Sequence, residues 1–347
     1  PENGFKMMKG KGSLFGDDIR ALKRMIEEDD YDLPGGGTVE QVDVLPSYLG
    51  FLRGNVRLAR TDLRIALDAG NGAAGPTAVA AMEALGLEPI ALLCKMDGRF
   101  PVHHPDPTDP ESLELLIRKV KDEGLDLGIA FDGDGDRIGV VDAEGGILWG
   151  DQLLTLLSRE LLADHPGAAV LGEVKCSQTL YDDIAKHGGR PILWKTGHSL
   201  IKTKMKEEGA LLAGEMSGHL FFADRYYGFD DAVYAAARLL ELLARADRPL
   251  HQLLVDVPET HTTPELRVEC PDDEKFAVVE KVRDRFAAEH DVITVDGARI
   301  QFGDGAWGLV RASNTQPVLV LRFEARTPER RDAIRAEVEQ AVAEARA

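Results

Sequence analysis

The largely apolar stretch 125–131 runs straight into Asp132-Gly133-Asp134-Gly135-Asp136-Arg137. A short apolar run closed by glycine and aspartate reads as a buried strand ended by a tight loop. Open α/β sheets bind their ligands just beyond the carboxyl ends of such strands, which is where this loop falls. The two glycines let the backbone fold closely enough for alternate side chains to converge on one point. Convergence is costly for carboxylates alone: two unit charges about 4 Å apart repel by roughly 4 kcal/mol at an effective dielectric of about 20. A divalent hard cation with oxygen ligands relieves that repulsion.

The calcium loop of the EF-hand does not fit. With Asp132 in its first position, the glycine required at the sixth is Arg137 and the glutamate required at the twelfth is Ala143. A solvated acidic turn is the plain alternative. Arg137, directly after the third aspartate, argues instead for an anionic ligand beside the metal. Asp132, Asp134 and Asp136 are therefore read as ligands of a catalytic Mg²⁺ ion.

Composition narrows the class. The chain has 347 residues, is 44% hydrophobic and carries a formal net charge of -19. That is material for about two to four globular domains. The acidic balance speaks against nonspecific nucleic-acid binding, which needs clustered Lys and Arg, but leaves room for a small phosphorylated substrate held by local basic groups. Cys94, Cys176 and Cys270 lack metal-ligand spacing and fit a reducing cytoplasm. No apolar run approaches the roughly 20 residues of a membrane span and no signal peptide is visible, so no membrane partner is expected. The opening Pro1-Glu2-Asn3-Gly4-Phe5-Lys6 has no initiator methionine and reads as the middle of something longer.

Periodicity orders the rest. Residues 1–43 hold one amphipathic helix (16–28) before Gly35-Gly36-Gly37, too little for a core of its own. Residues 44–147 alternate: strand 64–68, glycine-rich turn 71–76, helix 77–85, strand 89–94, helix 111–123, the metal strand, and a hairpin 138–148 turning at Gly145-Gly146. Residues 148–258 repeat the pattern, with helices 151–162, 178–186, 199–208 and 231–246 and strands 169–174, 191–195 and 211–214. Such alternation implies α/β domains with largely parallel sheets and right-handed crossovers. From 259 to 347 one helix (274–288) sits among extended segments 292–294, 298–301, 307–311 and 318–324 before a final helix, an α+β module with an antiparallel sheet.

Four further clusters fall at strand ends or helix starts. In Asn3-Gly4-Phe5-Lys6 a lone lysine near a terminus is explained by solvation as readily as by function. In Trp194-Lys195-Thr196-Gly197-His198-Ser199, Gly197 permits an unusual backbone angle before a helix N-terminus, a place suited to anions, with Lys175 at the preceding strand's exit. His198 there either caps the helix, fills a core gap or meets a ligand. Gly214-Glu215-Met216-Ser217-Gly218-His219 brackets a carboxylate, a hydroxyl and an imidazole, which suits a sugar or an ordinary polar turn. Arg311-Ala312-Ser313-Asn314-Thr315-Gln316-Pro317 offers a planar fork and neutral donors to phosphate oxygens, or forms a polar hairpin. Together they suggest phosphate at one end, sugar hydroxyls in the middle and a metal at the other end.

These segments resemble those of the α-D-phosphohexomutase superfamily, most closely its bacterial phosphomannomutase/phosphoglucomutase branch. The matching stretches are Asn3-Gly4-Phe5-Lys6, 132–137, Lys175-Cys176, 194–201, 214–219 and 311–315, through essentially the whole chain. The resemblance implies four domains around a deep cleft, each giving one loop: a remnant of the first α/β domain at 1–43, then 44–147 with the metal loop, 148–258 with the sugar loop, and the α+β phosphate-binding domain 259–347. It implies reversible phosphoryl transfer between C1 and C6 of mannose or glucose phosphates through a phosphoserine, with glucose 1,6-bisphosphate as activator and intermediate. In that pattern Asp132, Asp134 and Asp136 hold Mg²⁺ with the serine phosphate, and Lys6 and Arg137 flank the transferring group. Lys6 and His219 are the candidate proton handlers, imidazole titrating near neutrality as a class. Glu215 and Ser217 grip the O3 and O4 hydroxyls. Arg311, Ser313, Asn314 and Thr315 clasp the phosphate not being transferred, helped by Lys175, Gly197 and His198.

The family's serine loop precedes the stretch matching Pro1, so the chain alone is expected to be inactive, with the missing N-terminal segment as its partner. Phosphoglucosamine mutase and a non-catalytic sugar-phosphate-binding fragment are the alternatives; Met216, between Glu215 and Ser217, favours the mannose/glucose type. A metal-dependent phosphatase would explain the aspartates and leave the other loops unexplained.

Overall fold

The computed structural model describes residues 7–10, 12–32, 35–314 and 316–346. Its first segment is slight: β1 (Met8–Lys9) pairs antiparallel with β2 (Gly12–Ser13), and α1 (Asp17–Glu27) follows. Helix α1 buries none of its residues and leaves Ile19, Met25 and Ile26 exposed, as expected of a piece too small for a core.

The first large unit runs through α2 (Leu45–Asn55), β3 (Ile65–Asp68), α3 (Ala74–Ala84), β4 (Ile90–Leu92), α4 (Glu114–Glu123), β5 (Leu127–Phe131), β6 (Ile138–Asp142) and β7 (Ile147–Leu148). The sheet order is β4-β3-β5-β6-β7; β4, β3 and β5 are parallel, and β6 and β7 return antiparallel. Every residue of β3, β5 and β6 is buried, the signature of strands covered on both faces. Helix α3 begins at Ala74 rather than at 77, because Pro76 falls in the first turn, where its missing N–H costs nothing. Helix α2 was not expected. Pro46, Gly50 and Gly54 disguise it, yet Leu52 is fully buried and Tyr48, Leu49 and Phe51 pack on the same core.

The second unit comprises α5 (Gly150–Asp164), β8 (Ala169–Glu173), α6 (Gln178–Lys186), β9 (Arg190–Trp194), α7 (His198–Glu208), β10 (Leu212–Gly214), β11 (Leu220–Phe222) and α8 (Ala232–Arg245). Its order is β11-β10-β8-β9, with β11 antiparallel to β10 and the rest parallel. One apolar cluster runs through both units, joining Ala78 and Met82 of α3 to Leu153 and Leu157 of α5 and to Tyr234, Leu239 and Leu243 of α8. The two sheets are thereby held as a single packed body.

The third unit holds β12 (His261–Thr262), β13 (Leu266–Glu269), α9 (Lys275–Phe286), β14 (Val292–Ile293), β15 (Ala298–Gly303), β16 (Ala306–Ala312), β17 (Val318–Ala325) and α10 (Pro328–Arg346). All its strand pairs are antiparallel, in the order β12-β17-β16-β15-β14, with β13 also on β17. Helices α9 and α10 cover one face through Val278, Val282, Phe286, Ile334, Val338 and Val342. The other face meets the second unit: Trp307 and Leu309 pack with Val174, and the fully buried Arg299 donates to the carbonyls of Val174 at 2.7 Å and Cys176 at 2.9 Å. A buried guanidinium is tolerable only with such partners. This tie sets β15 and β16 against the exit of β8.

Candidate functional site

Beyond Phe131 the chain folds back onto Asp132. Its Oδ1 accepts the N–H groups of Gly135, Asp136 and Arg137, each at 3.0 Å, and its Oδ2 accepts Arg137 Nε at 2.7 Å. Four donors offset the cost of burying this carboxylate. Burial still pushes the Asp132 carboxyl above the usual range, against the pull of Arg137. Arg137 reaches Asp106 Oδ1 as well, at 3.2 Å. The fold-back gathers Asp132, Asp134 and Asp136, one oxygen of each lying within 4.8 Å of the others. An all-carboxylate donor set of this kind fits a hard cation such as Mg²⁺ rather than a thiophilic metal.

Strand β6 leaves this loop and meets the β10–β11 loop. Arg137 and His219 form an isolated antiparallel bridge, and Ile138 N donates to Gly218 O at 3.1 Å. Gly218 has φ 97°, and a Cβ there would lie 2.2 Å from Ile138 O, so only glycine permits the approach. His219 is thereby set beside the metal loop, its Nδ1 3.7 Å from Asp136 Oδ1 and 3.3 Å from Asp230 Oδ2. Its ring stacks on that of His198, with centroids 6.3 Å apart. Earlier in the same loop, Glu215 accepts Gly197 N at 2.8 Å and Ser217 Oγ at 3.2 Å. The 194–199 and 214–219 clusters are thus bonded to each other; Gly197, at φ 127°, makes the turn between β9 and α7.

Lys175 is buried at the exit of β8, its Nζ donating to Glu265 Oε2 at 3.0 Å across to the third unit. Burial pulls this ammonium down, but Glu173, Glu265 and Glu215 outweigh it and hold Lys175 above its ordinary value. Glu173, fully buried, accepts Lys175 N at 2.9 Å and Thr196 Oγ1 at 2.7 Å on one oxygen, and Met216 N at 3.4 Å on the other. Sequence reasoning missed it. Its only signal is a carboxylate closing an otherwise apolar strand.

In the third unit Arg311 Nε donates to Asp296 Oδ2 at 2.9 Å, and the same oxygen accepts Thr196 N at 3.1 Å. Arg311 is therefore joined through one carboxylate to the loop that grips Glu215. Ser313 and Asn314 follow in the β16–β17 turn. Ser313 Oγ accepts Gln316 N at 3.2 Å, and the buried Lys275 pins the turn to α9 by donating to the carbonyls of Ser313 at 2.7 Å and Gln316 at 3.1 Å. Asn314 is exposed. Lys6 and Thr315 lie outside the described residues.

A cleft of about 610 Å³ opens among the three units, lined by Arg137, Lys175, Ser217 and Glu265 together with Arg267 and Arg322. The last two were not anticipated; the available signal for Arg322 is a charge inside the apolar run of β17. The groove offers fixed positive charge, sugar-type acceptors and an adjacent imidazole. Among the described residues no helix is long and apolar enough to cross a membrane.

Residues 46–146, 149–261 and 265–341 match family models described as phosphoglucomutase/phosphomannomutase alpha/beta/alpha domain II, alpha/beta/alpha domain III and C-terminal domain. The phosphomannomutase/phosphoglucomutase of Pseudomonas aeruginosa is 49% identical over 334 residues, 96% of this chain and 72% of its own length. A crystal structure of a phosphoglucomutase/phosphomannomutase family protein from Burkholderia thailandensis aligns with a TM-score of 0.90 at 43% identity, over 96% of this chain and 71% of that one. A Methanopyrus kandleri protein with a phosphoglucosamine mutase name is 32% identical over 340 residues, 96% of this chain and 74% of its own length.

Proposed function

The chain belongs to the phosphoglucomutase/phosphomannomutase family, and on that premise we propose that it acts as a hexose-phosphate mutase, moving a phosphoryl group between C1 and C6 of glucose and mannose phosphates. One observation carries the reading: Arg311–Asp296–Thr196, Gly197–Glu215 and Ile138–Gly218 are consecutive links that draw loops of three units together. A site for a sugar bearing phosphate at either end needs that convergence.

In this reading Asp132, Asp134 and Asp136 hold Mg²⁺, which when bound offsets charge on the transferring phosphoryl group. Arg137 and Lys6 flank that group. His219 takes the proton of the attacking sugar hydroxyl as its oxygen bonds to phosphorus, while the bond to the donor serine oxygen breaks and Lys6 gives that oxygen a proton; the reverse transfer returns both protons. Glu215 and Ser217 accept from and donate to the ring hydroxyls. Arg311, Ser313, Asn314 and Thr315, with Lys175, Gly197 and His198, hold the idle phosphate, so glucose 1,6-bisphosphate fits as the intermediate between transfers. Residues 44–147, 148–258 and 259–347 serve as the working units. The free thiols of Cys94, Cys176 and Cys270 suit a reducing cytoplasm.

The test uses the full-length encoded protein with Mg²⁺ and glucose 1,6-bisphosphate, comparing turnover of glucose, mannose and glucosamine 1-phosphates. Turnover of the first two is expected; a clear preference for the amino sugar would move the assignment to phosphoglucosamine mutase. Failure of this chain to bind glucose 1-phosphate in a calorimeter would contradict the proposed site.

A further inference from the structure

We infer that Asp106 is the positioning residue of Arg137, fixing its guanidinium so that Nη2 meets the phosphoryl group in transit. The inference rests on the mutase reading and extends it to a loop that no motif singled out.

Asp106 lies in the segment 93–113, between β4 and α4. Its Oδ1 accepts Arg137 Nη1 at 3.2 Å, Thr108 N at 3.0 Å and Thr108 Oγ1 at 2.7 Å. The backbone around it turns tightly: Asp106 N donates to His104 O at 2.9 Å, and Asp109 N donates to Asp106 O at 3.1 Å. The prolines on either side seat this turn against glycines of the sheet and its loops. A Cβ on Gly70, just past β3, would lie 2.8 Å from Pro105 Cβ, and one on Gly139 of β6 would lie 2.7 Å from Pro107 Cβ. The loop packs into room that only glycine leaves. His103 adds a third attachment, its Nε2 lying 3.2 Å from Oδ2 of the buried Asp68 at the end of β3. A carboxylate presented by a loop clamped at three places arrives at a set position, as the support of a functional side chain requires.

Two carboxylates hold Arg137 at separate nitrogens. Nε donates to Asp132 Oδ2 at 2.7 Å and Nη1 to Asp106 Oδ1 at 3.2 Å, which leaves Nη2 outside both bonds on a side chain that lines the cleft. The two anchors differ in kind. Asp132 belongs to the acidic triplet read as the cation site, and Asp106 stands outside it. Asp106 therefore holds the guanidinium independently of what the triplet binds. With Nε bonded alone, the planar fork can still turn about its Nε–Cζ bond and exchange its two amino groups. A second bond at Nη1 decides which of them faces the cleft. A fork fixed in advance needs no rearrangement when charge develops on the phosphoryl oxygens. Thr108 and Asp109 line the same cleft, so this loop is part of its wall.

The experiment measures kcat and KM for glucose 1-phosphate, and Tm, on the full-length protein. The set is wild type, Asp106→Asn, Asp106→Ala, Arg137→Ala and the double variant Asp106→Ala/Arg137→Ala. The arginine side-chain ¹⁵N spectrum is recorded on the 347-residue chain. Asp106→Ala is expected to lower kcat about 10–100-fold with KM and Tm little changed, the cost of a slightly misplaced group. Asp106→Asn, which keeps an acceptor oxygen, should lose less. In the Arg137→Ala background, Asp106→Ala should cost about twofold or less, because residues acting through one contact are not additive. Nη1 and Nη2 of Arg137 should give separate signals in the wild type and merge in Asp106→Ala. An unchanged kcat in Asp106→Ala, the same fold-loss in both backgrounds, a loss in Asp106→Asn tracked by falling Tm, or merged wild-type signals would each overturn the inference. A wild type without mutase turnover would instead sink the mutase reading, and the guanidinium spectrum would still judge the Asp106 contact.

Discussion

Replacing Glu173 by Gln keeps the shape of a fully buried side chain and removes its charge, at a point where three loops meet. Lys175 N at 2.9 Å and Thr196 Oγ1 at 2.7 Å share one carboxylate oxygen, and Met216 N lies 3.4 Å from the other. Charge-assisted bonds contribute about 1.5–3 kcal/mol and neutral ones about 0.5–1.5, so two downgraded bonds lose about 2–3 kcal/mol. The new amide would also face Met216 N, donor against donor, adding about 1 kcal/mol. Easier burial of a neutral group offsets part of this, while Lys175 loses the foremost of the carboxylates that hold its charge. A net loss of about 3 kcal/mol corresponds to a Tm lower by about 6–12 °C for a unit of some 150–250 residues. Scanning calorimetry of Glu173→Gln reads the stability, and isothermal titration with glucose 1-phosphate reads the site, where affinity should fall about tenfold. A Tm within about 2 °C of wild type, with unchanged affinity, would refute the idea that Glu173 aligns the loops.

Other substitutions probe separate links. Arg311→Ala removes the guanidinium that faces Asp296 and should weaken glucose 1-phosphate binding by about 1.5–3 kcal/mol; an unchanged Kd would rule out its phosphate role. Gly218→Ala forces a Cβ to 2.2 Å from Ile138 O at φ 97° and should lower stability by about 2–4 kcal/mol, read as a shifted urea midpoint; wild-type stability would contradict the enforced approach of these two loops. The pH dependence of stability has a contributor at Asp256, whose carboxyl is held down to about 2 by Arg159 and Lys186. A depressed carboxylate contributes above its unfolded pKa of about 3.9, and the contribution is lost as pH falls through about 2. Because Asp256 is half exposed, Asp256→Asn should cost only about 0.5–1 kcal/mol near neutrality. That penalty should vanish by about pH 2; one that stayed constant down to that pH would refute the linkage.

What was legible in the sequence was whatever short-range pattern encodes. Strands β5 and β8 showed as apolar runs, the β6–β7 hairpin through Gly145-Gly146, and the metal loop through its alternation of aspartate and glycine. The fold class follows from those patterns, and the architecture is α/β with mixed sheets, as expected. Helix α2 escaped because proline and glycine mask a helix whose stability comes from Leu52 and its neighbours packing on α3 and α8. Strands β11, β12 and β13 escaped because they are two to four residues long and owe their existence to partners distant in sequence. The same cause hid Glu173. Its chemistry resides in who comes near, Thr196 and Met216, and no local motif encodes that.

The account stands on a shared cavity in which an acidic cation loop, a sugar-gripping loop and an arginine-led phosphate cradle serve one molecule. A crystal structure of this chain with glucose 1-phosphate and Mg²⁺ is the direct test. It should show the phosphate on Arg311 and Ser313 and the ring hydroxyls on Glu215 and Ser217. A sugar phosphate bound elsewhere, or seated here with its phosphate remote from Arg311, would contradict it.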